Sequence, residues 1–434
     1  MLPVVGVLVA LAWPRASVAL YAQGHRELGK AWPDQPTVVL AVLDTVRADH
    51  LAVCGYERPV GWFLTTLADE GAAVACDARS PGSWTLPSHA SFFTGRHVVE
   101  HGAHPVRSGE KLANTRQQIR ALDDELPTLA EQLAARGYQT VAVVENPVVS
   151  EATGLLRGFQ HVVRADDWLE LEADDGTYTA VKRLLRKELD PAAPLFLFLN
   201  LASAHQPWPA IGEDRPRFLP ERPELRLLGS REGSVWRRFH AGEMADDERE
   251  AFLAHLVDVY DHGIWRGVRT LRRVWRLLER DGWGRDARLV VTSDHGEFLG
   301  EHGRLDHGHY LDDPNSQVPL LYWSTAGEVT LPDTVSALLA YDLALHGELP
   351  AELPRVEAVA YPHPERLAWS GGRHFGQTSA AIWTDGGRST WIDGRVEGPA
   401  AVEVDQLAQA AIASGSGSGD EEVLELLRAV GYVE

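Results

Sequence analysis

One segment of the chain combines a hydroxyl side chain with the predicted start of a helix. Residues 83–95 read SWTLPSHASFFTG, and we interpret Thr85 as a nucleophile at the amino end of that helix. The free amides of a first helical turn and the positive end of the helix dipole would face an incoming anion. A threonine hydroxyl is a weak nucleophile that needs a base or a metal ion to lower its pKa. Because threonine is also a common N-cap, this segment alone does not establish a chemistry.

Polar residues recur at the ends of short apolar runs elsewhere in the chain. Runs of this kind predict parallel strands that are buried on both faces. The runs and the residues that follow them are 37–43 (TVVLAVL) before Asp44, 195–201 (LFLFLNL) before His205, and 287–292 (ARLVVT) before Asp294 and His295. Because the carboxyl ends of parallel strands meet at one edge of a sheet, we expect these groups to converge in one crevice. His307 follows in a glycine-rich loop at residues 300–309.

The side chains at this predicted crevice include two carboxylates, imidazoles and the Thr85 hydroxyl. Such a mixture of oxygen and nitrogen ligands suits Zn²⁺ or Mn²⁺, and with fewer nitrogens it suits Ca²⁺. A metal ion there would provide the activation that Thr85 needs. The residue types therefore predict a divalent metal site beside a nucleophile.

Predicted strands and amphipathic helices alternate up to about residue 325. This order indicates an α/β fold with a large, mostly parallel sheet sandwiched by helices. Beyond it, residues 378–392 have strand character and predict a small C-terminal antiparallel sheet. We divide the chain into a catalytic domain at 33–330, a C-terminal subdomain at 331–413, and a glycine-serine linker with a terminal helix at 414–434.

Composition restricts the partners of the protein. The 434 residues include 41 Lys and Arg and 62 Asp and Glu, for a formal net charge of −21. A surface of that charge repels nucleic acid, so we expect no nucleic-acid partner. The two cysteines, Cys54 and Cys76, are too few for a zinc cluster. They would form one disulfide in an exported protein, but we favour two isolated core thiols.

The N-terminal segment indicates export or membrane attachment. Residues 2–13 (LPVVGVLVALAW) form an apolar run whose length fits the core of a signal peptide and is short for a membrane span. Small residues follow, as a cleavage site needs, although no basic residue precedes the run. We predict that residues 1–30 are an export signal or a membrane anchor rather than a buried strand. The protein would then be periplasmic or extracellular, with membrane association through its N-terminus.

Together these motifs resemble the sulfatase-like members of the alkaline phosphatase superfamily. The segments LDTVRADHL (43–51) and TSDHGEFLGEHG (292–303) are similar to the two metal segments of that family, and SWTLPSHASFFTGR (83–96) is similar to its nucleophile segment. ENPVVS, FLNLASAHQPW and the terminal LRAVGYVE are similar to further family segments. The likeness covers nearly the whole chain from about Pro36, and the nucleophile motif and second metal motif together are highly specific.

The resemblance implies one metal ion held by Asp44, Thr85, Asp294 and His295. It also implies that Thr85 is the catalytic nucleophile and that His205 and His307 lie on the substrate side. These two histidines would donate a proton to the leaving group, bind the substrate anion or hold a second metal. His309 is an alternative to His307, because the alignment of this glycine-rich loop can slip by two residues.

One departure from the family pattern bears on the chemistry. Ordinary sulfatases carry Cys or Ser at the nucleophile position, matured to formylglycine, and an Arg four positions later, where this chain has Thr85 and His89. Oxidation of threonine would give a ketone rather than the aldehyde that the sulfatase mechanism hydrates, so we expect no formylglycine. Unmodified threonine is the nucleophile in phosphodiesterases and phosphoethanolamine transferases that resemble this pattern.

We therefore predict a metal-dependent hydrolase of sulfate, phosphate or phosphonate esters, in which Thr85 favours phosphorus chemistry. Its substrate would be a small-molecule, lipid or glycan ester. Three alternatives stay open: a phosphoethanolamine-type phosphotransferase, a sulfatase that uses unmodified threonine, and a non-catalytic metal-binding relative with the same fold.

Overall fold

The structure is a computed structural model that describes most of the chain. The described residues are 35–106, 118–165, 176–208, 211, 214–221, 234–308, 310–361, 378–392, 394–414 and 420–429. Three predictions fall outside these ranges: the export signal or anchor at residues 1–30, the candidate His309, and the glycine-serine stretch at 415–419.

Strands and helices alternate along the described chain. The strands are β1 Thr37–Leu43, β2 Ala73–Arg79, β3 Pro105–Val106, β4 Gln118–Ile119, β5 Gln139–Val144, β6 His161–Arg164, β7 Leu195–Leu201, β8 Ala287–Thr292, β9 Phe298–Leu299, β10 Leu305–Asp306, β11 Gln317–Ser324, β12 Thr334–Ser336, β13 Glu357–Ala360, β14 Ser379–Thr384, β15 Gly387–Ile392 and β16 Arg395–Glu397. The helices are α1 Trp62–Asp69, α2 Thr85–Thr94, α3 Val98–His101, α4 Leu129–Ala135, α5 Gly176–Lys187, α6 Ser234–Ala241, α7 Asp246–Arg280, α8 Asp313–Ser316, α9 Ala340–Leu345, α10 Ala401–Ser414 and α11 Glu421–Ala429. None of these described helices has the length and hydrophobicity needed to cross a membrane.

Eight strands form one large sheet in the order β12-β2-β11-β8-β1-β7-β5-β6. The central strand β1 pairs in parallel with β7 and β8, and every residue of β1 and β7 is buried. A strand that is covered on both faces needs apolar side chains throughout, which explains the continuous apolar runs. Strand β11 runs antiparallel to both of its neighbours, and the other pairs in this sheet are parallel. The mostly parallel α/β sheet that the sequence predicts is confirmed.

Each face of the large sheet packs against its own hydrophobic core. Successive side chains of β1 enter different cores, because alternate residues of a strand point to opposite faces. Helices α1, α5 and α7 pack on the face that Val39 and Ala41 share. Helices α2, α4 and α9 pack on the face that Val38 and Leu40 share. Helices therefore cover both faces of the sheet.

A smaller sheet lies near the C-terminus. Its strands β13, β14, β15 and β16 are consecutive and antiparallel, and α10 packs across them with Val404 and Leu407 buried. This confirms the small C-terminal antiparallel sheet. Strand β12 and helix α9 belong to the large sheet and its core. The domain boundary near residue 330 stays a prediction.

The prediction of two isolated core thiols is wrong. Cys54 and Cys76 form a disulfide that joins the turn at residues 52–54 to β2, and both cysteines are half-buried. The pairing depends on the position of β2, whose sequence AVACDAR lacks the continuous apolar run of the central strands. Without that strand, nothing in the sequence places the two cysteines side by side.

Candidate active site

The carboxyl ends of β1 and β8 bring three predicted metal ligands together. Asp44 follows β1, and Asp294 and His295 come just after its parallel neighbour β8. Nε2 of His295 lies 3.4 Å from Oδ2 of Asp294 and 3.8 Å from Oδ1 of Asp44. All three residues are fully buried. The structure thus brings these side chains to one point, which we call the metal group.

The residues of the metal group fit a divalent cation. Oδ1 of Asp44, Oδ2 of Asp294 and Nε2 of His295 have no hydrogen-bond partner among the described residues. Polar atoms buried in this way are costly, so they need a ligand. The ligands of a tetrahedral ion with bonds of about 2.1 Å lie about 3.4 Å apart, close to the separations seen here. Nδ1 of His295 donates to the carbonyl of Gly296 over 3.0 Å, so the neutral ring presents its lone pair at Nε2.

The electrostatics of the metal group also favour a cation. Burial raises the pKa of Asp294 well above its ordinary value, and the neighbouring Asp44 carboxylate adds to that rise. Burial also opposes the ionisation of Asp44, but the nearby His205 and His295 hold the pKa of Asp44 below its ordinary value. Burial lowers the pKa of His295 to about 4, so the ring is neutral at pH 7. A bound cation would relieve the repulsion between the two buried carboxylates.

Thr85 connects to the metal group through an asparagine. Thr85 is the first residue of α2 and is fully buried, and Trp84 before it is extended. Pro87 lies in the first turn, where a missing amide costs the helix no hydrogen bond. Nδ2 of Asn146 donates to Oγ1 of Thr85 over 3.2 Å and to Oδ2 of Asp44 over 2.8 Å. One amide group therefore positions both the candidate nucleophile and a candidate metal ligand.

Sequence reasoning missed two asparagines that organise this site. Asn146 follows β5, and Asn200 is the residue before the end of β7. Nδ2 of Asn200 donates to Oδ2 of Asp44 over 3.1 Å, and its Oδ1 accepts from the backbone amide of Asn146 over 2.7 Å. The sequence does carry a signal for Asn200, which is the one amide in an otherwise apolar strand. A polar side chain buried in this way requires a hydrogen-bond partner.

His89 packs behind the nucleophile. Its Nδ1 donates to the carbonyl of Thr85 over 2.9 Å and lies 3.5 Å from Oδ2 of Asp294. Burial lowers the pKa of His89 to about 4, so this ring is also neutral at pH 7. His89 therefore fixes the first turn of α2 without bringing a positive charge to the site.

Thr45 forms a strained turn between the metal group and α7. Its φ of 62° is in the left-handed region, which a β-branched residue rarely adopts. The amide of Thr45 donates to Oδ1 of Asp294 over 3.2 Å. The Tyr260 hydroxyl, from α7, donates to the carbonyl of Thr45 over 2.6 Å and accepts from the amide of Arg47 over 2.9 Å. Helix α7 thus holds the turn that orients the Asp294 carboxylate.

The substrate-side candidates lie next to the metal group. The ring centroid of His307 is 4.3 Å from that of His295 and 5.0 Å from that of His205. Nδ1 of His307 lies 3.3 Å from Oε2 of Glu297 and 3.3 Å from Oδ1 of Asp306. Glu297, which sequence reasoning did not single out, is fully buried. Its carboxylate orients the His307 ring beside the metal group.

His101 ties α2 to α3. Its Nδ1 accepts from the amide of Ala103 and its Nε2 donates to Oγ of Ser91 in α2, each over 3.0 Å. Burial lowers the pKa of His101 to about 3. The unfolded chain binds a proton near pH 6.5, whereas the folded protein binds it only near pH 3. Stability from this residue is therefore complete above pH 6.5 and falls as the pH falls below that value.

As the pH falls from 6.5 to 5, protonation of His101 in the unfolded chain should lower the free energy of unfolding by about 2 kcal/mol. Urea denaturation at the two pH values measures this loss. The His101→Gln variant keeps an acceptor and a donor but binds no proton, so its pH dependence should be weaker by that amount. The same pH dependence in both proteins would contradict the assignment.

The fold and the metal group define an alkaline phosphatase-like α/β protein with a metal-competent centre at the carboxyl edge of its sheet. The family model described as Sulfatase matches residues 36–339. The chain therefore belongs to the sulfatase family, which confirms the resemblance of the motifs. Enzymes of this family typically depend on a divalent metal ion. A search of curated proteins found no match.

Solved structures share the fold over most of the chain. The phosphonate monoester hydrolase of Agrobacterium radiobacter is 16% identical with a TM-score of 0.57, and the match covers 91% of this chain and 96% of that chain. A 2-O GAG sulfatase is 15% identical with a TM-score of 0.53, covering 92% of this chain and 90% of that chain. The soluble domain of lipooligosaccharide phosphoethanolamine transferase A from Neisseria meningitidis is 18% identical and covers 69% of this chain and 79% of that chain, but its TM-score of 0.48 is too low to establish a shared fold. Identities this low establish a common fold only.

Proposed function

We propose that this member of the sulfatase family is a metal-dependent ester hydrolase in which Thr85 is the nucleophile. The observation that carries the proposal is the shared amide of Asn146, which bonds both the Thr85 hydroxyl and the Asp44 carboxylate. A hydroxyl at the start of a helix is commonly a cap. The Thr85 hydroxyl differs, because Asn146 connects it to the metal group, whose ligand atoms are buried and lack hydrogen-bond partners, and this arrangement is suited to nucleophilic attack.

The proposed metal ligands are Asp44, Thr85, Asp294 and His295. A divalent ion bound there would lower the pKa of the Thr85 hydroxyl and would withdraw electrons from a substrate oxygen. Asn146 would keep Oγ1 of Thr85 aimed at the substrate, because its Nδ2 occupies one side of that oxygen. Backbone amides at the amino end of α2 would bind the other oxygens of the ester.

The bond changes follow from this placement. Oγ1 of Thr85 loses its proton to solvent water and forms a bond to phosphorus in line with the alcohol oxygen, whose bond to phosphorus breaks. His205 or His307 gives a proton from Nε2 to the departing alcohol oxygen. Water then attacks the phosphorus of the Thr85 ester and the bond to Oγ1 breaks. The attacking water gives one proton to the histidine, and Oγ1 takes back a proton from solvent. The ring centroids of the two histidines lie 5.0 Å apart, which supports a role for either one at the same leaving group.

The preference for phosphorus esters rests on the nucleophile and its surroundings. Threonine does not yield the aldehyde that formylglycine chemistry requires, so attack by the hydroxyl itself is the available route. His89 occupies the position of the family's arginine, and its buried neutral ring supplies no positive charge, so a second feature of formylglycine sulfatases is missing. Sulfate monoesters, phosphonate monoesters and phosphodiesters all carry one negative charge, so the preference rests on phosphorus accepting a hydroxyl nucleophile directly.

Matched substrates test this function. We expect purified protein with Zn²⁺ or Mn²⁺ to hydrolyse a nitrophenyl phosphonate monoester or phosphodiester with kcat/KM at least about tenfold above that for the nitrophenyl sulfate ester. Faster turnover of the sulfate ester would reject the phosphorus preference and would favour a sulfatase that uses unmodified threonine. Metal binding without turnover of any ester would favour the non-catalytic alternative. Adding an acceptor alcohol and analysing the products separates hydrolysis from transfer of the phosphoryl group.

A further inference from the structure

Helices α5 and α7 carry an excess of positive charge on a strongly acidic protein. Between Trp265 and Arg280, α7 has six arginines and one carboxylate, and α5 has four cations and no carboxylate. The whole chain has a formal net charge of −21, so the rest of the protein is even more acidic. The distribution of charge is therefore highly asymmetric.

The arginines of α7 form a stripe along one side of the helix. Arg266, Arg269, Arg273, Arg276 and Arg280 follow one another at spacings of three, four, three and four residues. Residues with that spacing lie on one face of a helix. The opposite face of α7 is buried in the core. Within the stripe, Arg269, Arg276 and Arg280 are exposed, whereas Arg266 and Arg273 are half-buried. Attraction to the helix dipole would explain cations in the last turn only, whereas the stripe extends over about four turns.

The cations of α5 lie beside the arginine stripe of α7. The guanidinium of Arg273 lies 4.2 Å from the centroid of the Tyr178 ring of α5, and Nζ of Lys182 lies 5.9 Å from the same centroid. Nε of Arg186 lies 2.8 Å from Oδ2 of Asp281, just after the end of α7. The two helices thus run side by side in the same direction. We call their exposed cations together the basic face.

Internal ion pairs neutralise only part of the basic face. Glu188 pairs with Arg183 over 3.1 Å. Asp214 pairs with Arg269 over 3.5 Å, and Asp281 pairs with Arg280 over 3.1 Å. In the described part of the chain, no carboxylate lies within ion-pair distance of Lys182, Arg272 or Arg276. Burial and the like charge of Arg276 lower the pKa of Arg272. Charges that repel one another in this way are stabilised by an external anion.

A half-exposed tryptophan adjoins the basic face. Trp62, the first residue of α1, is 37% exposed, and the Arg272 guanidinium lies 4.4 Å above its ring. Tryptophan favours the boundary between lipid headgroups and acyl chains, because its ring is apolar and its N–H is polar. A cationic surface with a tryptophan beside it matches a lipid interface better than it matches a soluble polyanion.

The N-terminal segment joins the described structure near the basic face. The amide of Thr37, in the first strand, donates to the carbonyl of Asp286 over 2.8 Å, six residues after the end of α7. The apolar residues 2–13 precede this point, and the 21 residues between them and Gln35 can span at most about 75 Å. The opposite end of the arginine stripe is near the active site, because Gly263 of α7 packs directly on the backbone of Ser203, just beyond β7. The stripe therefore extends away from the active site and toward the attachment point of the apolar segment.

We propose that the basic face docks the protein on an anionic phospholipid surface, with Trp62 at the level of the headgroups. The proposal is independent of the catalytic chemistry. The acidic remainder of the protein is repelled by the same surface, but salt screens charges beyond about 8 Å at physiological ionic strength. The basic face therefore dominates at contact, and the negative charge elsewhere keeps the active-site edge turned away from the lipid.

Vesicle partitioning of the full chain tests the proposal. The measurement is the ratio of the partition coefficient on vesicles with 30% phosphatidylglycerol to that on pure phosphatidylcholine vesicles. We expect a ratio of at least about ten at 50 mM salt and a ratio near one at 500 mM salt. The quadruple variant Lys182→Gln, Arg183→Gln, Arg269→Gln, Arg276→Gln should lower the ratio at 50 mM salt about tenfold. All four side chains are exposed, and the thermal unfolding of the variant confirms that it folds.

A matched variant controls for net charge. Arg96→Gln, Arg237→Gln, Arg249→Gln, Arg395→Gln removes four exposed arginines that lie outside the basic face, and it should keep the ratio of the wild-type protein. An equal loss in both variants would overturn the proposal, as would a wild-type ratio near one at 50 mM salt. Retention on a sulfated polysaccharide at salt concentrations that release the protein from the anionic vesicles would assign the face to a glycan instead.

Discussion

Replacing Thr85 by alanine should lower kcat/KM for a phosphonate or phosphodiester substrate by about 10⁴-fold or more. The expected loss is large because the hydroxyl forms the covalent bond to phosphorus, and the nearby hydroxyls of Ser83 and Ser88 bond instead to Gly308 and Ser80. The only hydrogen bond to Oγ1 in the described structure comes from Nδ2 of Asn146, which also bonds Asp44. The fold and most of the metal group should therefore survive the change. Steady-state kinetics with saturating Mn²⁺ or Zn²⁺ measure the effect.

The Thr85→Ser variant is the matched control. It keeps the hydroxyl and loses only a methyl group from a fully buried site, so its kcat/KM should stay within about a hundredfold of the wild-type value. Intact mass spectrometry of acid-quenched reactions should show the phosphoryl adduct on the wild-type and serine proteins and none on the alanine protein. Equal turnover by the alanine variant would reject Thr85 as the nucleophile.

Most of the fold follows from hydrophobic periodicity. The central strands β1, β7 and β8 are buried on both faces, so their apolar runs predict their bounds to the residue. Strand β2 lies nearer the edge of the sheet and contains Asp77 and Cys76, so its pattern is weak. Strand direction is not encoded in a local pattern at all. The antiparallel β11 has the same apolar character as the parallel strands β1 and β8, because burial rather than direction determines the composition.

The residues of the candidate site also differ in how well the sequence predicts them. Asp44, Asp294 and His295 directly follow predictable parallel strands, so topology alone brings their side chains together. Asn146 and Glu297 are harder to identify, because their roles depend on distances between loops rather than on strand ends. An asparagine or a glutamate at a strand end commonly caps a turn, so its type and position do not reveal that it orients a nucleophile or a histidine.

The Asp294→Asn substitution should weaken the binding of Mn²⁺ or Zn²⁺ by about a hundredfold or more while the metal-free protein becomes no less stable. Asn keeps the oxygen that accepts from the amides of Thr45 and His295, and it replaces the charged Oδ2 that has no partner. Burial and Asp44 raise the pKa of Asp294, so removing this carboxyl relieves an unfavourable contact when no metal is bound. Calorimetric titration gives the affinity, and thermal unfolding in chelator gives the metal-free stability.

Metal should also raise the unfolding temperature of the wild-type protein, because a ligand at a hundred times its Kd adds about 2.7 kcal/mol. In Asp294→Asn that increment should fall to about 0.4 kcal/mol or less, because the same metal concentration then no longer exceeds the Kd. Asp261→Asn is the matched control, since Asp261 is an equally buried carboxylate that instead bonds Tyr56 and Arg58. It should lower the unfolding temperature with and without metal and keep the increment between the two. A metal increment that persists in Asp294→Asn and is lost in Asp261→Asn would move the metal site away from the ends of β1 and β8. The opposite result makes Asp294 a ligand, because only a side chain that contacts the ion removes the increment without removing stability.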